Sequence, residues 1–387
     1  MNIKVVDLFC GCGGMSLGFL KAGFDILAGF EHWNAAISCY KKNFSHQVED
    51  IDLSNIEQSV RVISQYQPDI IIGGPPCQDF SGAGKRVEGH RADLTVAYAK
   101  IVKGILPQYF VMENVERAAD SKAYKEARKI FKEAGYALTE KILDASLCGV
   151  PQRRRRFFCI GCKGEKDSFL DGLLSTNQSV FPLTVRQYYQ QENYNLEVEY
   201  YYRHPRSYSR RGIFSVDEPS PTIRGVNRPK PSNYRKHKGD IVDPQNVRNL
   251  TYKERAIIQT FPLEFKWGKA SASTEQMIGN AVPVQLAYYV ADCLMRFING
   301  DKDIHNLRFI DWLKNNKKLS PKVASDTLSR IGRARRILDF SDGTCEEYLD
   351  QLKQIEDFRN IVPSVRAQIR RAVRLYFEYV AEYKEEV

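Results

Sequence analysis

Long apolar runs, internal repeats and cysteine frameworks are all missing from this sequence of 387 residues. No apolar stretch approaches the roughly 20 residues that cross a bilayer. The nine cysteines are odd in number and scattered, and the close pairs Cys10/Cys12 and Cys159/Cys162 have neither a matching second pair nor a histidine beside them. A membrane span, a disulfide scaffold and a metal site are therefore not expected. Since no signal peptide is recognisable either, the chain is predicted to be soluble and cytoplasmic, with reduced thiols.

Acidic residues are scarce relative to basic ones. The chain has 57 Lys and Arg against 47 Asp and Glu, which gives a formal net charge of +10 and a pI near 9.0. This balance predicts a polyanionic partner but carries no information about the fold. The length, with 43% hydrophobic residues, is sufficient for two or three globular domains.

Strand-like and helix-like segments alternate through the first 160 residues. Short apolar or β-branched runs indicate strands, and segments with helical periodicity separate them. This order predicts an α/β fold, a mostly parallel sheet with helices on both faces. The predicted strands are 4–9, 26–30, 70–72, 109–113, 137–144 and 156–161, and the predicted helices are 13–22, 35–44, 95–105 and 124–134.

The pattern changes after residue 162. Turns, tyrosines and basic residues dominate up to about Arg248, with eleven Lys/Arg against four Asp/Glu between Arg203 and Arg248. Helices return at 251–259 and 284–297, and Ser320-Pro321 and Pro363 begin helices in the last segment. The expected parts are a catalytic and cofactor-binding domain (1–162), a smaller irregular domain (163–248), a return segment that completes the first domain (249–298) and a helical C-terminal extension (299–387).

A glycine-rich turn joins the first predicted strand to the first helix. In "VVDLFCGCGG", Gly11 and Gly13 permit a tight turn, and Glu31 ends the next strand about twenty residues later, where a carboxylate suits a ribose diol. Such turns are common, and the strict G-x-G-x-x-G fingerprint of dinucleotide sites is missing. An adenosyl ligand without a pyrophosphate needs less of a phosphate cradle, which favours S-adenosylmethionine.

A cysteine and a glutamate each follow a predicted core strand. In "IIIGGPPCQDFS", two prolines fix the backbone direction before Cys77, which alone is as compatible with an incidental buried thiol as with a nucleophile at a sheet edge. For Glu113 in "FVMENV", the alternative to a catalytic role is a glutamate at the protein surface or at a helix cap. Because both strands are expected in one parallel sheet, thiol and acid can face one pocket. There the thiol can add to an electron-poor ring that the acid hydrogen-bonds.

Four consecutive arginines enter a later predicted strand in "PQRRRRFFCIG". Strand alternation places Arg154 and Arg156 on one face, with Arg153 and Arg155 on the other. A solvated edge strand is the alternative, but the apolar Phe157-Phe158 continuation favours half-burial of this segment.

Together these stretches resemble the DNA cytosine-C5 methyltransferase family. They follow the family's order over roughly residues 3–297, and the combination is specific although no single motif is. The motifs are "DLFCGCGG", Glu31, Asp50-Ile51, "GGPPCQDFS", "MENV", "PQRRRR", "LTYKERAIIQTFP" and "IGNAVP".

The resemblance implies an S-adenosylmethionine-dependent, Rossmann-like doubly wound sheet, with residues 163–248 as the target-recognition domain. It implies Cys77 as the nucleophile, Glu113 as the residue that binds the target base, and Arg154 and Arg156 as supports of the base and the catalytic loop. The substrate would be a cytosine flipped out of double-stranded DNA. The implied cofactor-binding residues are Phe9, Gly11, Gly13, Glu31, Asp50, Ile51, Pro76 and Asn280, and the expected DNA-binding residues are Gln78, Ser81, Arg210, Arg211, Thr222, Ile223 and Arg224.

One position departs from the family's pattern. An aromatic residue usually follows the ribose-binding acid directly, whereas here His32 occupies that position and Trp33 comes next. Either ring can therefore be the one that stacks on the adenine of the cofactor.

The expected function is that of a DNA (cytosine-5) methyltransferase, acting as a monomer and as the modification enzyme of a restriction–modification system with a possible cognate restriction endonuclease. A transfer-RNA cytosine-5 methyltransferase and a non-catalytic DNA-binding regulator are the alternatives. The Arg- and Tyr-rich variable region is the feature that discriminates a DNA methyltransferase from the transfer-RNA enzyme. The intact Cys77 and Glu113 argue against the non-catalytic regulator. In the helical extension, arginines crowd residues 330–336 and 366–374, which favours auxiliary contact with DNA over a purely structural role.

Overall fold

The computed structural model describes residues 2–76, 93–179, 181–207, 209–301, 304–340 and 344–383. The chain divides into two compact units, of which the first comprises residues 1–165 and 182–292 and the second residues 166–181 and 293–387. The four-part division expected from the sequence, with a separate target-recognition domain, stays a prediction.

A seven-stranded sheet organises the first unit. The strands up to residue 163 are β1 (Lys4–Leu8), β2 (Asp25–Glu31), β3 (Gln47–Asp50), β4 (Ile70–Gly73), β5 (Tyr109–Val115), β6 (Tyr136–Asp144), β7 (Gln152–Arg153) and β8 (Arg155–Lys163). The sheet has the order β3-β2-β1-β4-β5-β8-β6, and β8 alone runs antiparallel to its neighbours among these described strands. The mostly parallel α/β sheet predicted from the alternation is confirmed.

Helices connect and cover these strands. They are α1 (Gly14–Lys21), α2 (Asn34–Tyr40), α3 (Ile56–Ile63), α4 (Asp93–Ile105) and α5 (Lys122–Glu133). The main core lies between the sheet and α3 to α5, where Ile71, Phe110 and Phe131 are fully buried. The sequence prediction missed β3 and α3, and it was wrong to run the arginine segment through one strand, because Arg154 lies between β7 and β8.

The arginine-rich middle of the chain has short elements joined by long turns, as expected. They are α6 (Asp171–Thr176), α7 (Val185–Gln191), β9 (Tyr200–Tyr202), β10 (Ile213–Ser215), β11 (Ser220–Pro221) and β12 (Arg248–Asn249). β10, β9 and β12 form a three-stranded sheet, whereas β11 pairs with β7 beside the arginine segment. The first unit then continues through α8 (Tyr252–Ile258), α9 (Ala272–Asn280) and into α10 (Val284–Ile298).

One stretch of the described residues, Ala272–Ile298, has the length and apolar composition of a membrane-crossing helix. However, 56% of its most apolar window is buried inside the protein, and the core helix of a non-membrane protein meets the same criteria. The stretch is therefore weak evidence for a membrane span.

The second unit is helical. Besides α6 it contains α11 (Ile304–Asn315), α12 (Pro321–Ile337), α13 (Cys345–Gln354), α14 (Glu356–Arg359) and α15 (Pro363–Tyr383). The predicted helix starts at Pro321 and Pro363 are confirmed, and the side chain of Ser320 accepts a hydrogen bond from the backbone of Val323, as an N-cap does. Leu328, Ile331 and Ile369 lie in its fully buried core. Val323, in the first turn of α12, is 40% exposed.

Candidate active site

The carboxyl ends of β4 and β5 bring the segment before Cys77 next to Glu113. These strands are parallel neighbours, with Gly73 paired to Met112. A side chain added at Gly74 would lie 3.2 Å from Glu113 Oε2, so the backbone passes directly against the carboxylate. One residue further, the carbonyl of Pro75 accepts a hydrogen bond of 3.3 Å from Asn114 Nδ2. The chain is thereby held at this edge two residues before Cys77.

Glu113 forms a buried ion pair with Arg156. Arg156 Nε lies 2.9 Å from Glu113 Oε1, and both side chains are nearly inaccessible, at 13% and 10% exposure. The pairing of β5 with antiparallel β8 brings them together, since Val115 is in register with Arg156. Burial raises the pKa of Glu113 above that of an ordinary glutamate, opposed by the positive charges of Arg156 and Arg154. A carboxyl group with a raised pKa in a closed site can hydrogen-bond or protonate a base.

Arg154 has a different environment from Arg156. Its guanidinium is 2% exposed and donates to three main-chain carbonyls, those of Ile223, Gly279 and Ala281, each at 3.0 Å. The predicted alternation is confirmed, because Arg154 is buried and Arg156 half-buried whereas Arg153 and Arg155 are exposed. Arg154 thus joins three distant segments and makes no direct bond to Glu113 among the described contacts.

Sequence reasoning missed three polar residues of this region. Asn114 holds Pro75, as described above. Gln152 donates to Gln259 Oε1 at 2.7 Å and accepts from the backbone of Ile223 at 2.8 Å, while Gln259 donates to the carbonyl of Ile278. Each of the three lies within a quoted motif, "MENV", "PQRRRR" or "RAIIQTFP", so their positions in motifs were the available signal. Their partners lie too far along the chain to be read from the sequence.

The glycine-rich turn lies beside Glu31. The backbone N–H of Gly11 donates to Glu31 Oε2 at 2.9 Å, and those of His32 and Trp33 donate to Oε1, also at 2.9 Å. A carboxylate has about four lone-pair sites, so one acceptor position on Oε2 is left for a ligand hydroxyl. Gly11 has φ of 57°, and a side chain added there would meet nothing within 4 Å. Gly13 has φ of 95°, and an added side chain would collide with Phe44.

His32 and Trp33 have contrasting environments. His32 Nδ1 lies 2.9 Å from Asp50 Oδ1, with the two side chains 72% and 56% exposed. This hydrogen bond raises the pKa of His32. Trp33 is partly buried against a hydrophobic cluster that includes Cys12 and Ala36. The histidine is therefore the open ring beside the glycine turn, and the tryptophan is partly committed to packing.

Some of the other predicted cofactor residues lie at or near this turn. Phe9 begins it with an unusual φ of 55°, and Ile51 is buried, with its N–H donating to the carbonyl of Glu31 at 3.1 Å. A side chain added at Gly14 would lie 2.3 Å from the carbonyl of Val282, which places the segment after Asn280 against the turn. Pro76 lies at the end of the described part of the Cys77 segment, and Asn280 is exposed.

The expected DNA-binding residues divide into engaged and free side chains. Arg211 pairs with Glu218 and stacks on Phe214, Arg224 donates to the carbonyl of His204, and Thr222 donates to the carbonyl of Arg153. Ile223 is buried at 5% exposure. Arg210 is exposed, and its side chain forms no hydrogen bond, ion pair or ring contact within the described residues. Cys77, Gln78 and Ser81 lie outside the described residues.

Metal-binding side chains are not clustered in the part of the chain that the structure describes. No group of three or more His, Cys, Asp or Glu residues there is placed to hold a metal ion.

Comparison with known proteins decides the family. The sequence model of the C-5 cytosine-specific DNA methylase family matches residues 3–296. The chain belongs to this family. It is an enzyme of DNA methylation at cytosine C5, as the motif order had predicted.

Two similar relatives are bacterial modification enzymes. The chain is 52% identical over 298 residues to the type II methyltransferase M.HgiDI of Herpetosiphon aurantiacus, covering 77% of this chain and 96% of the relative. It is 53% identical over 298 residues to M.HindV of Haemophilus influenzae, covering 76% and 97%. Almost the whole length of each relative is thus matched, while about a quarter of this methyltransferase is not.

Solved structures support the same fold. The methyltransferase resembles Dnmt2 of S. pombe with a TM-score of 0.59 at 20% identity, over 77% of this chain and all of the other. It resembles EhMeth of Entamoeba histolytica with a TM-score of 0.55 at 20% identity, over 78% and 99%. At these identities the likeness concerns the fold alone.

Proposed function

We propose that this methyltransferase modifies C5 of a cytosine flipped out of a specific short sequence in double-stranded DNA, with Cys77 as nucleophile and S-adenosylmethionine as methyl donor. The observation that carries the proposal is the buried Glu113–Arg156 pair, held at the edge where Gly74 and Pro75 lead into Cys77. A thiol and a carboxyl group that follow neighbouring parallel strands are the pair that ring addition needs.

The residues act on the cytosine ring in a balanced sequence. The Cys77 thiolate forms a bond to C6, and the electron pair of the C5–C6 double bond becomes available at C5. Glu113 stabilises this adduct by a hydrogen bond to the ring, and its raised pKa favours the protonated carboxyl that can donate it. Arg156 fixes the orientation of Glu113. After this electron pair has formed the bond between C5 and the methyl group, which leaves the sulfonium of its donor as a thioether, the C5 proton is lost. The electrons of the C5–H bond re-form the C5–C6 double bond, and the thiolate departs from C6.

The residues around the glycine turn fit an adenosyl group. Glu31 would accept from the ribose with its remaining lone pair, beside the open space at Gly11. His32, oriented by Asp50, would cover the adenine, since Trp33 is partly engaged in packing. When bound, S-adenosylmethionine supplies an electrophilic methyl group. Phe9, Gly13, Ile51, Pro76 and Asn280 complete the proposed site, in which Gly13 keeps the turn tight.

The proposal extends to the cellular role. The similarity to two type II methyltransferases over nearly their full length supports a modification enzyme of a restriction–modification system, with a cognate endonuclease as functional partner. We place it in the cytoplasm as a monomer. Arg154 would support the active site by joining the segments of Ile223, Gly279 and Ala281.

Replacing the nucleophile tests the proposal. In Cys77→Ser, methyl transfer to duplex DNA should fall below a tenth of wild type while binding of S-adenosylmethionine persists, because a hydroxyl is a much weaker nucleophile than a thiolate. Cys345→Ser is the matched control, since this partly exposed cysteine lies in the second unit. A duplex containing 5-fluorocytosine at the target should trap the wild-type protein as a covalent adduct. Residual methyl transfer by Cys77→Ser, together with the absence of this adduct in the wild-type protein, would contradict the mechanism.

The same assay separates the RNA alternative. Labelled methyl groups should appear as 5-methylcytosine in duplex DNA and not in transfer RNA. Incorporation into transfer RNA alone would replace the proposed substrate, and incorporation into neither would favour the regulator.

A further inference from the structure

The second unit carries arginines that differ sharply in their partners. Arg335 lies 5.0 Å from the ring centre of Phe340 and 4.8 Å from that of Tyr376, and Arg336 donates to the carbonyl of Thr176. Arg374 lies 3.5 Å from Glu346. These three are engaged within the unit and do not add to a free basic face, so the predicted auxiliary contact with DNA would have to come from other arginines of these helices.

Arg330 of α12 and Arg371 of α15 are different. Neither side chain has a hydrogen bond, ion pair or ring contact within the residues that the structure describes. Both line one groove between the two helices, with a cavity of about 160 Å³. Thr327 and Gln368 add polar groups to it, and Val323 and Leu375 give it apolar walls. This site, the α12–α15 groove, therefore presents two uncompensated guanidinium groups beside an apolar surface.

The acidic residues around the groove do not neutralise it. Glu378 on α15 pairs with Lys317, and Glu382 accepts a hydrogen bond from Trp312. Asp326 lies one helical turn before Arg330 on α12, and no ion pair joins the two in the described contacts. Along α15, Arg366 and Arg370 add two further positive charges that form no ion pair in the described part of the chain. Positive charge therefore prevails around the groove.

We infer that the α12–α15 groove is an auxiliary, sequence-independent binding surface for the phosphate backbone of duplex DNA. The occupant follows from charge and size. A guanidinium offers a planar fork that matches phosphate oxygens. A cavity of about 160 Å³ is large enough to admit a phosphate group. The inference rests on the proposed function only in taking duplex DNA as the substrate.

The position of the groove in the chain supports this assignment. The family match ends at residue 296, whereas all residues of the groove lie beyond Asn315. The unit also has its own hydrophobic core around Leu328, Ile331 and Ile369, which fixes α12 and α15 in place. An addition to a DNA-modifying enzyme that holds arginines open on a rigid surface is suited to strengthening the hold on DNA without changing the sequence that is read.

The test measures the salt dependence of DNA binding by the full-length protein. Fluorescence anisotropy with a labelled duplex of arbitrary sequence would be recorded between about 50 and 200 mM salt. In the double variant R330A/R371A, the slope of log affinity against log salt should fall by about 1.8, because each phosphate contact contributes about 0.9. The ratio of wild-type affinity to variant affinity should therefore fall by about tenfold between about 50 and 200 mM salt. The methylated position in DNA should not change.

Matched variants make the result specific to the groove. Arg374→Ala removes an arginine of the same helix that already faces Glu346, and it should leave the slope almost unchanged. The variant R330K/R371K keeps both charges and should retain most of the slope. Asp326→Asn removes the nearby acid and should raise affinity. Thermal unfolding and the molecular mass in solution are recorded for each variant.

Several outcomes would overturn the inference. One is an unchanged slope in R330A/R371A with wild-type thermal stability, and another is an equal loss in Arg374→Ala. A change in oligomeric state without a change in slope would assign the groove to contact between copies of the chain, and a change in the methylated position would contradict sequence independence. If R330A/R371A does not fold, Asp326→Asn still decides, because an unchanged affinity in this variant would contradict the inference. Methyl transfer by Cys77→Ser tests the proposed function, and the salt slope tests the α12–α15 groove. Failure of one proposal can therefore be distinguished from failure of the other.

Discussion

Arginine side chains have opposite environments in the two compact units. In the first, Arg154 is buried and donates to three main-chain carbonyls, and Arg255 pairs with Glu275 and donates to the carbonyl of Arg224. In the second, Arg330 and Arg371 line an open groove and have no partner within the described residues. The density of positive charge along a sequence therefore does not locate a nucleic-acid surface. Buried and open arginines differ in whether hydrogen-bond acceptors of the protein itself already bind the guanidinium.

The largest expected effect comes from removing a fully engaged arginine. Arg154→Met leaves the carbonyls of Ile223 and Gly279 without this donor, whereas the carbonyl of Ala281 keeps a hydrogen bond from Gln259. Each buried acceptor left unpaired costs about 1–3 kcal/mol. We expect the free energy of unfolding to fall by roughly 3–5 kcal/mol, measured by urea denaturation. The adjacent, exposed Arg153→Met is the control and should change it by less than about 0.5 kcal/mol. Equal losses in both variants would break the comparison.

The sheet and its edge were predictable from the sequence, because apolar runs and glycine turns are local signals. Strand β3 was missed because only Val48 of its four residues is buried, so it has no apolar run. Helix α3 was missed although its signal is present, since Ile56, Val60 and Ile63 recur at helical spacing and Asn55 is its N-cap. The proximity of Glu113 to the Cys77 segment followed from strand order alone, and the pairing of β4 with β5 bears out this strand order.

The partners of the arginines were not predictable, because they come from distant parts of the chain. Arg154 binds carbonyls 69, 125 and 127 residues away, and Arg336 binds one 160 residues away. Periodicity assigns a residue to a face of a helix or strand but does not say what covers that face. For this reason Arg330 and Arg335, five residues apart on α12, could not be told apart from the sequence.

A buried acid in the first unit extends the comparison to negative charge. Asp7 is 1% exposed, and burial raises its pKa to about 7, although Ser16 donates two hydrogen bonds to it. The folded state then binds more protons than the unfolded state between about pH 4 and 7, so stability falls as the pH rises through this window. At about 1.4 kcal/mol per pKa unit, the loss is on the order of 4 kcal/mol.

Asp7→Asn should remove this pH dependence. Urea denaturation at about pH 4 and pH 8 should show that the difference in unfolding free energy between wild type and variant shifts in favour of the variant at the higher pH. An exposed acid of the second unit, changed as Asp326→Asn, should show no comparable shift. A constant difference between Asp7→Asn and wild type at both pH values would mean that Asp7 is ionised throughout.

Two adjacent arginines in the arginine-rich middle of the chain offer an internal comparison. Arg211 pairs with Glu218 and lies 4.4 Å from the ring centre of Phe214, whereas Arg210 is exposed. Arg210→Ala should leave stability unchanged and relax discrimination at one base by about 1–3 kcal/mol if this arginine contacts a guanine. Arg211→Ala should instead lower thermal stability. Methylation of a library of duplexes, together with thermal unfolding, separates the two effects, and a stability loss in Arg210→Ala would contradict the assignment.

The smallest expected effect concerns Arg335, which shares α12 with Arg330. Its guanidinium lies about equally close to Phe340 and Tyr376 and donates to the Tyr376 hydroxyl. Lysine keeps the charge but loses the planar contact with the rings, so Arg335→Lys should lower the free energy of unfolding by about 0.5–1 kcal/mol. Because this arginine is engaged inside the unit, even Arg335→Gln should leave the salt slope of DNA binding as in wild type, unlike R330A/R371A. A flattening of the salt slope in Arg335→Gln as large as that in R330A/R371A would contradict this expectation. It would mean that an arginine on α12 binds DNA whether or not its guanidinium already has a partner within the protein, so the distinction between the two environments would fail.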